Sequence, residues 1–200
     1  MKLIITRHGE TVANEKGIAC GANNNSGLNE TGKLQAKKLA MRLLKDKIDV
    51  VFCSDLKRCK QTLAPYLKQK KIPVYYTKLL REQNYGILDK KPMDVFMKWF
   101  KNNPGKDLEG WESKEQLKER ISNFITQELS QCKGNNMLIV THGRTKKMLL
   151  SIFLSKSLKY QDRINEAAPN TGVSIIDLSD IENPILELLN CGKHLNKNDD

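Results

Sequence analysis

Two histidines stand directly after short apolar runs, and each is followed by glycine. The run LIIT leads into Arg7, His8 and Gly9, and the run LIVT leads into His142 and Gly143. Such runs predict buried strands, and open α/β sheets bind ligands at the carboxyl ends of their strands. Glycine after each histidine lets the backbone approach a ligand closely. If the two strands are neighbours, both imidazoles face one pocket.

Arginines accompany these histidines. Arg7 precedes His8, Arg144 lies two residues after His142, and Arg58 belongs to a helix predicted directly after another strand. A guanidinium group matches phosphate oxygens with two parallel hydrogen bonds. A lone strand-end histidine or helical arginine is more often structural or solvated. Two His-Gly pairs in a chain with three histidines nevertheless favour an anion site, and the helix that opens after His142 offers it free amides.

Short apolar runs alternate with longer amphipathic stretches along the chain, which is typical of an α/β sheet flanked by helices. Strands are predicted at 2–6, 49–53, 73–77, 137–141, 173–178 and 185–189. Helices are predicted at 31–44, 56–67, 93–101, 114–131 and 144–154. The pattern predicts an α/β three-layer sandwich with a mostly parallel central sheet and the strand at 73–77 nearer an edge.

Local signals set further expectations. Ser54 or Asp55 is expected to cap the helix that follows, and Pro65 to kink or end it early. The loop from Gly9 to Gly27 is too irregular for a helix or strand. Without repeats or a composition break, residues 1–192 are expected to form one domain, and the polar tail at 193–200 to be disordered with His194 inert.

Composition limits the partners. The chain of 200 residues carries a net charge of +11, which attracts phosphates, nucleic acids or anionic membranes without choosing among them. No apolar run is long enough to span a bilayer. Five scattered cysteines without a Cys-x-x-Cys pair predict reduced thiols and a cytoplasmic location. Three histidines, none paired at helical zinc-ligand spacing, predict no metal site.

The motifs together resemble one family. RHGET at 7–11 is followed by Asn14, Gly21, LNETG at 28–32, SDLKR at 54–58, LRE at 80–82, Glu112 with Ser113, and VTHG at 140–143. In this order they are similar to the signature of the histidine phosphatase superfamily, which includes cofactor-dependent phosphoglycerate mutases. The resemblance covers the chain to about Leu178 and implies a phosphoglycerate mutase-like fold of this α/β type.

The resemblance also assigns roles. It implies that His8 is the nucleophile and forms a phosphohistidine, with a backbone carbonyl fixing its tautomer, and that Glu82 is the proton donor. Arg7, Arg58 and His142 would hold the phosphoryl oxygens. The remaining substrate-binding positions would be Asn14, Cys20, Gly21 and Gly143. The implied enzyme uses neither a metal nor another cofactor.

Several positions depart from the family pattern. Arg144 stands where a second glycine is common, and Asn25-Ser26-Gly27 replaces a frequent Asp-x-Pro. Residues 86–90 read GILDK where many relatives carry a Gly-x-Trp-Glu-Gly stretch. Asp89 in this segment is a second proton donor beside Glu82 or, as the better interpretation, a surface carboxylate. Cys20, where mutases carry threonine, is an activated thiolate or, as the better interpretation, an ordinary loop cysteine.

Three alternatives stay open. Only residues 83–111 separate the proton donor from the Glu112-Ser113 block, which favours a phosphatase acting on a small phosphorylated metabolite over a mutase, whose inserted segment is longer. Lysine pairs such as Lys70-Lys71, Lys90-Lys91 and Lys146-Lys147 would suit a binding protein for nucleic acid or phospho-ligands. Because most of them fall at exposed helical positions, a solvated basic surface is preferred and no nucleic acid is expected. The oligomeric state is left open.

Overall fold

A single sheet organises the fold. The computed structural model describes residues 1–104, 106, 108–132, 136–155, 164 and 166–196. Its strands are β1 (Lys2–Arg7), β2 (Val50–Ser54), β3 (Val74–Thr77), β4 (Met137–Thr141), β5 (Val173–Asp177) and β6 (Ile185–Cys191). They form a six-stranded sheet in the order β3-β2-β4-β1-β5-β6. The first four of these run parallel, and β5 and β6 are antiparallel additions.

The two strands that precede the His-Gly pairs are neighbours. Strands β1 and β4 pair in parallel, with Arg7 opposite Thr141. The backbone N–H of His8 extends this register by donating to the Thr141 carbonyl at 2.9 Å. Because parallel strands end at the same edge of a sheet, His8 and His142 emerge side by side, which meets the condition stated for one shared pocket.

Helices cover both faces of the sheet. Within the described ranges the α-helices are α1 (Val12–Glu15), α2 (Glu30–Leu43), α3 (Lys57–Leu67), α4 (Met93–Asn102), α5 (Lys114–Gln127) and α6 (Gly143–Phe153). Alternate strand residues point to opposite faces, so Ile4 packs in the core under α2 and α3 while Leu3 and Ile5 pack in the core under α5 and α6. The predicted three-layer α/β sandwich is confirmed, and β3 lies at the sheet edge as expected.

The start of α3 differs from its prediction, and Pro65 does not end the helix, while a kink there stays a prediction. The N-cap residue is Leu56, whose side chain makes no capping hydrogen bond. Asp55, one of the two predicted caps, forms an ion pair with Arg81 instead. Pro65 does not end the helix early, since α3 continues to Leu67. A proline inside a helix removes the hydrogen bond to the carbonyl four residues earlier, but later residues can still form theirs, as the Lys68 N–H does with the Ala64 carbonyl.

The long loop after β1 is more regular than expected. Thr11 and Asn14 form a reciprocal capping box around α1, within the stretch predicted to be irregular.

The helix α5 is shorter than predicted. The predicted helix 114–131 ends at Gln127 and is followed by a 3₁₀ turn at Leu129–Cys132.

The tail differs from its prediction where it is described. Lys193–Leu195 form a 3₁₀ turn, and Lys38 donates to the Leu195 carbonyl at 3.4 Å. Half-buried His194 contacts the Thr171 hydroxyl at 3.1 Å, so its side chain is held against the protein and does not belong to a disordered tail, and the absence of a chemical role stays a prediction. Residues 197–200 of the predicted tail lie outside the described residues.

None of the helices in the described ranges is long and apolar enough to cross a membrane.

Candidate active site

His8 is a buried, neutral imidazole. The residue is 3% exposed, and its Nδ1–H donates to the Gly9 carbonyl at 2.7 Å, which confirms the expected backbone acceptor. A proton on Nδ1 leaves the lone pair on Nε2 available as a nucleophile. Burial lowers the pKa of His8 well below its usual range, and the charges of Arg58 and Arg7 lower it further. The ring therefore stays neutral at neutral pH.

His142 lies against His8 and is held at both ring nitrogens. The two ring centroids are 5.1 Å apart. Its Nδ1 accepts from Arg58 Nε at 3.0 Å, so Nε2 carries the proton and donates to the Ser54 hydroxyl at 2.8 Å. Burial, followed by the neighbouring Arg58, lowers the pKa of His142 well below its usual range. This second imidazole is also neutral and has a fixed orientation.

Arg58 is fully buried, although a helical arginine is usually solvated. Besides His142, its guanidinium donates to the carbonyls of Asn24 and Gly21, the latter at 3.1 Å. A weaker contact of 3.5 Å reaches the Cys20 carbonyl. Most of its donors thus tie the 20–24 loop to His142, and direct contact with a phosphoryl group stays a prediction.

Arg7 supplies an unused donor. Its Nη1 donates to the Ala168 carbonyl at 2.7 Å, which anchors the side chain. Its Nε is buried and has no hydrogen-bond partner among the described residues. Burial lowers the pKa of Arg7 from its usual value. A buried N–H without a partner costs free energy, and an anion at this position would satisfy it.

Glu82 is buried beside the start of α6. Its carboxylate accepts from the backbone N–H groups of Arg144 at 3.3 Å and Thr145 at 3.2 Å. The free amides of this helix therefore hold a carboxylate of the protein, where the sequence predicted a ligand anion. Arg120 donates to the Arg81 carbonyl at 3.0 Å and pairs with Glu112, so the segment carrying Glu82 is fixed from both sides.

Gly143 leaves space between two of these groups. A Cβ atom added there would lie 3.8 Å from both Arg7 Nε and Glu82 Oε2. The gap between guanidinium and carboxylate is thus bordered by backbone rather than by a side chain. We call Arg7, His8, Arg58, Glu82 and His142 the His8 cluster. It joins a neutral nucleophile to one buried and one half-buried cation and a carboxyl group, which suits transfer of a phosphoryl group.

The other predicted binding residues lie in the loops around this cluster. Asn14 uses its side-chain oxygen in the α1 capping box, accepting from the Thr11 N–H at 3.1 Å. Cys20 is not an activated thiolate, because burial raises the pKa of its thiol. A Cβ at Gly21 would lie 2.9 Å from the Gln83 carbonyl, so this close approach requires glycine.

Asp89 binds the backbone of the 20–24 loop and is not placed as a second proton donor. Its two carboxylate oxygens accept from the backbone N–H groups of Gly21 at 2.8 Å and Asn23 at 2.9 Å. Both oxygens are engaged by this loop, so the alternative of a second acid loses its support.

Several supporting residues were missed by the sequence reasoning. Ser54 was considered only as a helix cap and as part of the SDLKR block, and Thr62 was given no role, yet Ser54 orients His142 and Thr62 accepts from the Gly9 N–H at 2.9 Å. Thr171 donates its backbone N–H to the carbonyls of Arg7 and His8 at 3.1 and 3.3 Å. No pattern near Thr171 signals this contact, which exists only once β5 pairs with β1.

Comparisons with known proteins agree with this geometry. A sequence model described as the histidine phosphatase superfamily (branch 1) matches residues 3–191. The "Probable phosphatase C1687.21" of Schizosaccharomyces pombe is 38% identical over 78% of this chain and 75% of its own length. The metal-independent phosphoserine phosphatase of Arabidopsis thaliana is 32% identical, over 90% of this chain and 77% of its own.

Solved structures share the fold. Bacillus stearothermophilus YhfR superposes with a TM-score of 0.83 at 23% identity, covering 98% of this chain and 99% of that one. The chain belongs to the histidine phosphatase superfamily, branch 1.

Proposed function

We propose that this protein is a metal-independent phosphomonoester hydrolase that acts through a phosphohistidine at His8 on a small phosphorylated metabolite. The observation that carries the proposal is the pairing of a neutral, buried His8, whose Nε2 is free, with the unpartnered buried Nε of Arg7. The names of the phosphatase relatives support the same reaction class. The proposed unit is one domain, residues 1–192.

In the first proposed step, His8 Nε2 attacks phosphorus and the bond between phosphorus and the leaving oxygen breaks. Glu82 donates its proton to that oxygen, so the alcohol departs neutral. Arg7 stabilises the charge on the phosphoryl oxygens. Arg58 adds positive charge beside it, neutral His142 packs against His8, and Asn14 and Gly143 border the site.

In the second proposed step, water enters the place of the departed alcohol. Glu82 accepts a proton from the water, whose oxygen forms a bond to phosphorus while the bond to His8 Nε2 breaks. Inorganic phosphate leaves, and both residues return to their starting protonation states. Because the same carboxyl group gives and then takes one proton, the cycle balances without a cofactor.

The chemistry of the site supports hydrolysis without a metal. Positive charge comes from Arg7 and Arg58, which are directed into the cluster by backbone carbonyls. The five cysteines are all free thiols, which supports the finer proposal of a reducing compartment such as the cytoplasm.

The test compares the wild type with His8→Ala on p-nitrophenyl phosphate in the presence of EDTA. The expected result is phosphate release by the wild type and a loss of at least about a thousandfold in kcat for the variant, because the nucleophile is gone. Thermal unfolding of both proteins checks that the variant is folded. Equal activity in the two proteins would refute the assignment of His8.

Two further outcomes separate the alternatives. Interconversion of phosphoglycerates that requires added bisphosphoglycerate would identify a mutase. Binding of nucleic acid without any turnover of phosphate esters would favour the binding protein.

A further inference from the structure

A cavity of about 240 Å³ adjoins the His8 cluster and shares Arg7 and Glu82 with it. Beyond these two residues it is lined from α6 by Gly143, Arg144, Lys146 and Lys147, and from the opposite side by residues that include Glu166. We call this cavity the Arg144 pocket. Since it meets the His8 cluster at the proton donor, it lies where the alcohol part of a phosphate ester would extend.

The pocket is rich in unpaired positive charge. Within the described parts of the chain, no carboxylate forms an ion pair with Arg144, Lys146 or Lys147. Of the carboxylates that line it, Glu82 is already held by α6 amides, which leaves Glu166 at the opposite wall. The cations at this mouth therefore exceed what the surrounding carboxylates balance.

Lys146 adds a buried amine to the cations that line the Arg144 pocket. Although a lysine pair suggested an exposed helical position, Lys146 is fully buried and donates to the Gly172 carbonyl at 2.7 Å. Burial, with a contribution from the charge of Arg7, lowers its pKa to about 7. A bound anion would favour the charged form of this amine.

Arg144 is the cation that is positioned to bind. Its guanidinium carbon lies 5.1, 5.7 and 5.4 Å from the ring centroids of Tyr85, Phe96 and Trp111. Its Nη1 donates to the side-chain oxygen of Gln83 at 2.7 Å, and Gln83 is itself fixed by donating to the Glu112 carbonyl at 2.6 Å. Aromatic faces and one tether hold the group, while the residue stays exposed and keeps further donors for a ligand.

We propose that Arg144 binds a second anionic group, a carboxylate or a phosphate, on the alcohol that leaves during hydrolysis. The inference rests on the proposed function and names its substrate class as phosphomonoesters that carry another anion close to the ester oxygen. Glu82 and Arg144 line the same cavity, so the proton donor and the second anion site share one pocket. Lys147 adds to the positive field at the rim.

The experiment uses two substrates that differ in one group. 3-Phosphoglycerate carries a carboxylate where glycerol 3-phosphate carries a hydroxymethyl group. The ratio of their kcat/KM values, measured on the full chain, is expected to favour 3-phosphoglycerate by about tenfold or more, as one charge-assisted hydrogen bond would produce. Arg144→Met is expected to bring this ratio near one, and Arg144→Lys to give an intermediate ratio because the charge stays and the planar fork is lost.

A matched control tests whether the loss of any one surface cation changes the substrate ratio. Lys37 is an exposed cation on α2, away from the cavity, and Lys37→Met is expected to keep the wild-type ratio. A second pair, 1,3-propanediol bisphosphate and propyl phosphate, tells whether phosphate is preferred to carboxylate as the second anion. A preference for either anion supports the proposal and identifies its source.

Two results would overturn the inference. A wild-type ratio near one for both substrate pairs would show that no second anion is recognised, without any variant being needed. An unchanged preference in a folded Arg144→Met protein would place the recognition elsewhere. The proposed function fails separately, when His8→Ala hydrolyses p-nitrophenyl phosphate as fast as the wild type.

Discussion

The His8 cluster and the Arg144 pocket adjoin each other but are built in opposite ways. In the cluster, the side chains of His8, Arg58 and His142 are almost completely buried and bound to neighbouring backbone or side chains. In the pocket, Arg144 is exposed, and flat aromatic rings with one neutral tether hold it in place. We infer from this difference that the chemistry is fixed by the core of the fold, whereas the proposed substrate choice rests on a residue that can change at little cost to folding.

Glu82 stands at the junction of the two regions, and its replacement should have the largest effect. Glu82→Gln is expected to lower kcat by about a hundredfold to ten-thousandfold for an alkyl phosphate, because the leaving alkoxide needs a proton. For p-nitrophenyl phosphate the loss should be much smaller, since that phenolate departs without one. Parallel kcat measurements on both substrates check this. Equal losses would mean that Glu82 acts only by holding α6.

The two arginines allow a direct comparison of the regions. Arg58→Met is expected to lower the free energy of unfolding by about 3–5 kcal/mol, because it leaves the loop carbonyls of Gly21 and Asn24 buried without donors. Arg144→Met should cost only about 0.5–1 kcal/mol, the range for an exposed cation–π contact. Urea unfolding measures both. Similar losses would contradict the contrast between a fixed and an adaptable region.

The buried histidines should make stability depend on pH. Because burial lowers the pKa values of His8 and His142 in the folded protein, the unfolded chain takes up protons first as the pH falls below about 6.5. Stability should therefore be complete above that pH and decline below it, by up to about 1.4 kcal/mol per pH unit for each histidine. His8→Ala should reduce this slope, measured by urea unfolding from about pH 7.5 to about pH 5. An unaltered slope would show that His8 titrates normally.

His194 should have the smallest effect. His194→Ala removes the contact with Thr171, whose backbone N–H binds the carbonyls of Arg7 and His8. A loss of about 1 kcal/mol in the free energy of unfolding is expected, as for one neutral hydrogen bond. Thermal unfolding checks the value, and no change at all would mean that the Lys193–Leu195 turn does not support the cluster.

The sequence predicts the layers of the fold well because they follow from local patterns. Short apolar runs identified the six strands, and the pairing of β1 with β4 then brought His8 and His142 together. Local patterns were less reliable at the ends of elements. Leu56 is the N-cap of α3, and the Asp55 carboxylate pairs with Arg81. An ion pair of this kind joins separate chain segments, so local patterns do not predict it.

The same limit applies to the site. His8, Arg58, Glu82 and His142 are visible in the sequence because their motifs are local. How they are held is not visible, since Ser54, Asp89 and Thr171 act across long separations in the chain. The burial of Lys146 was also missed, because a lysine pair on a helix is usually solvated.

Trapping of the phosphoenzyme tests the central claim most directly. A rapid acid-free quench during turnover of a radiolabelled phosphate ester, followed by proteolysis, should place a label that is stable in alkali and labile in acid on the peptide containing His8. The His8→Ala protein should carry none. Turnover by the wild type with no such adduct under single-turnover conditions, or with the label on another residue, would contradict the account.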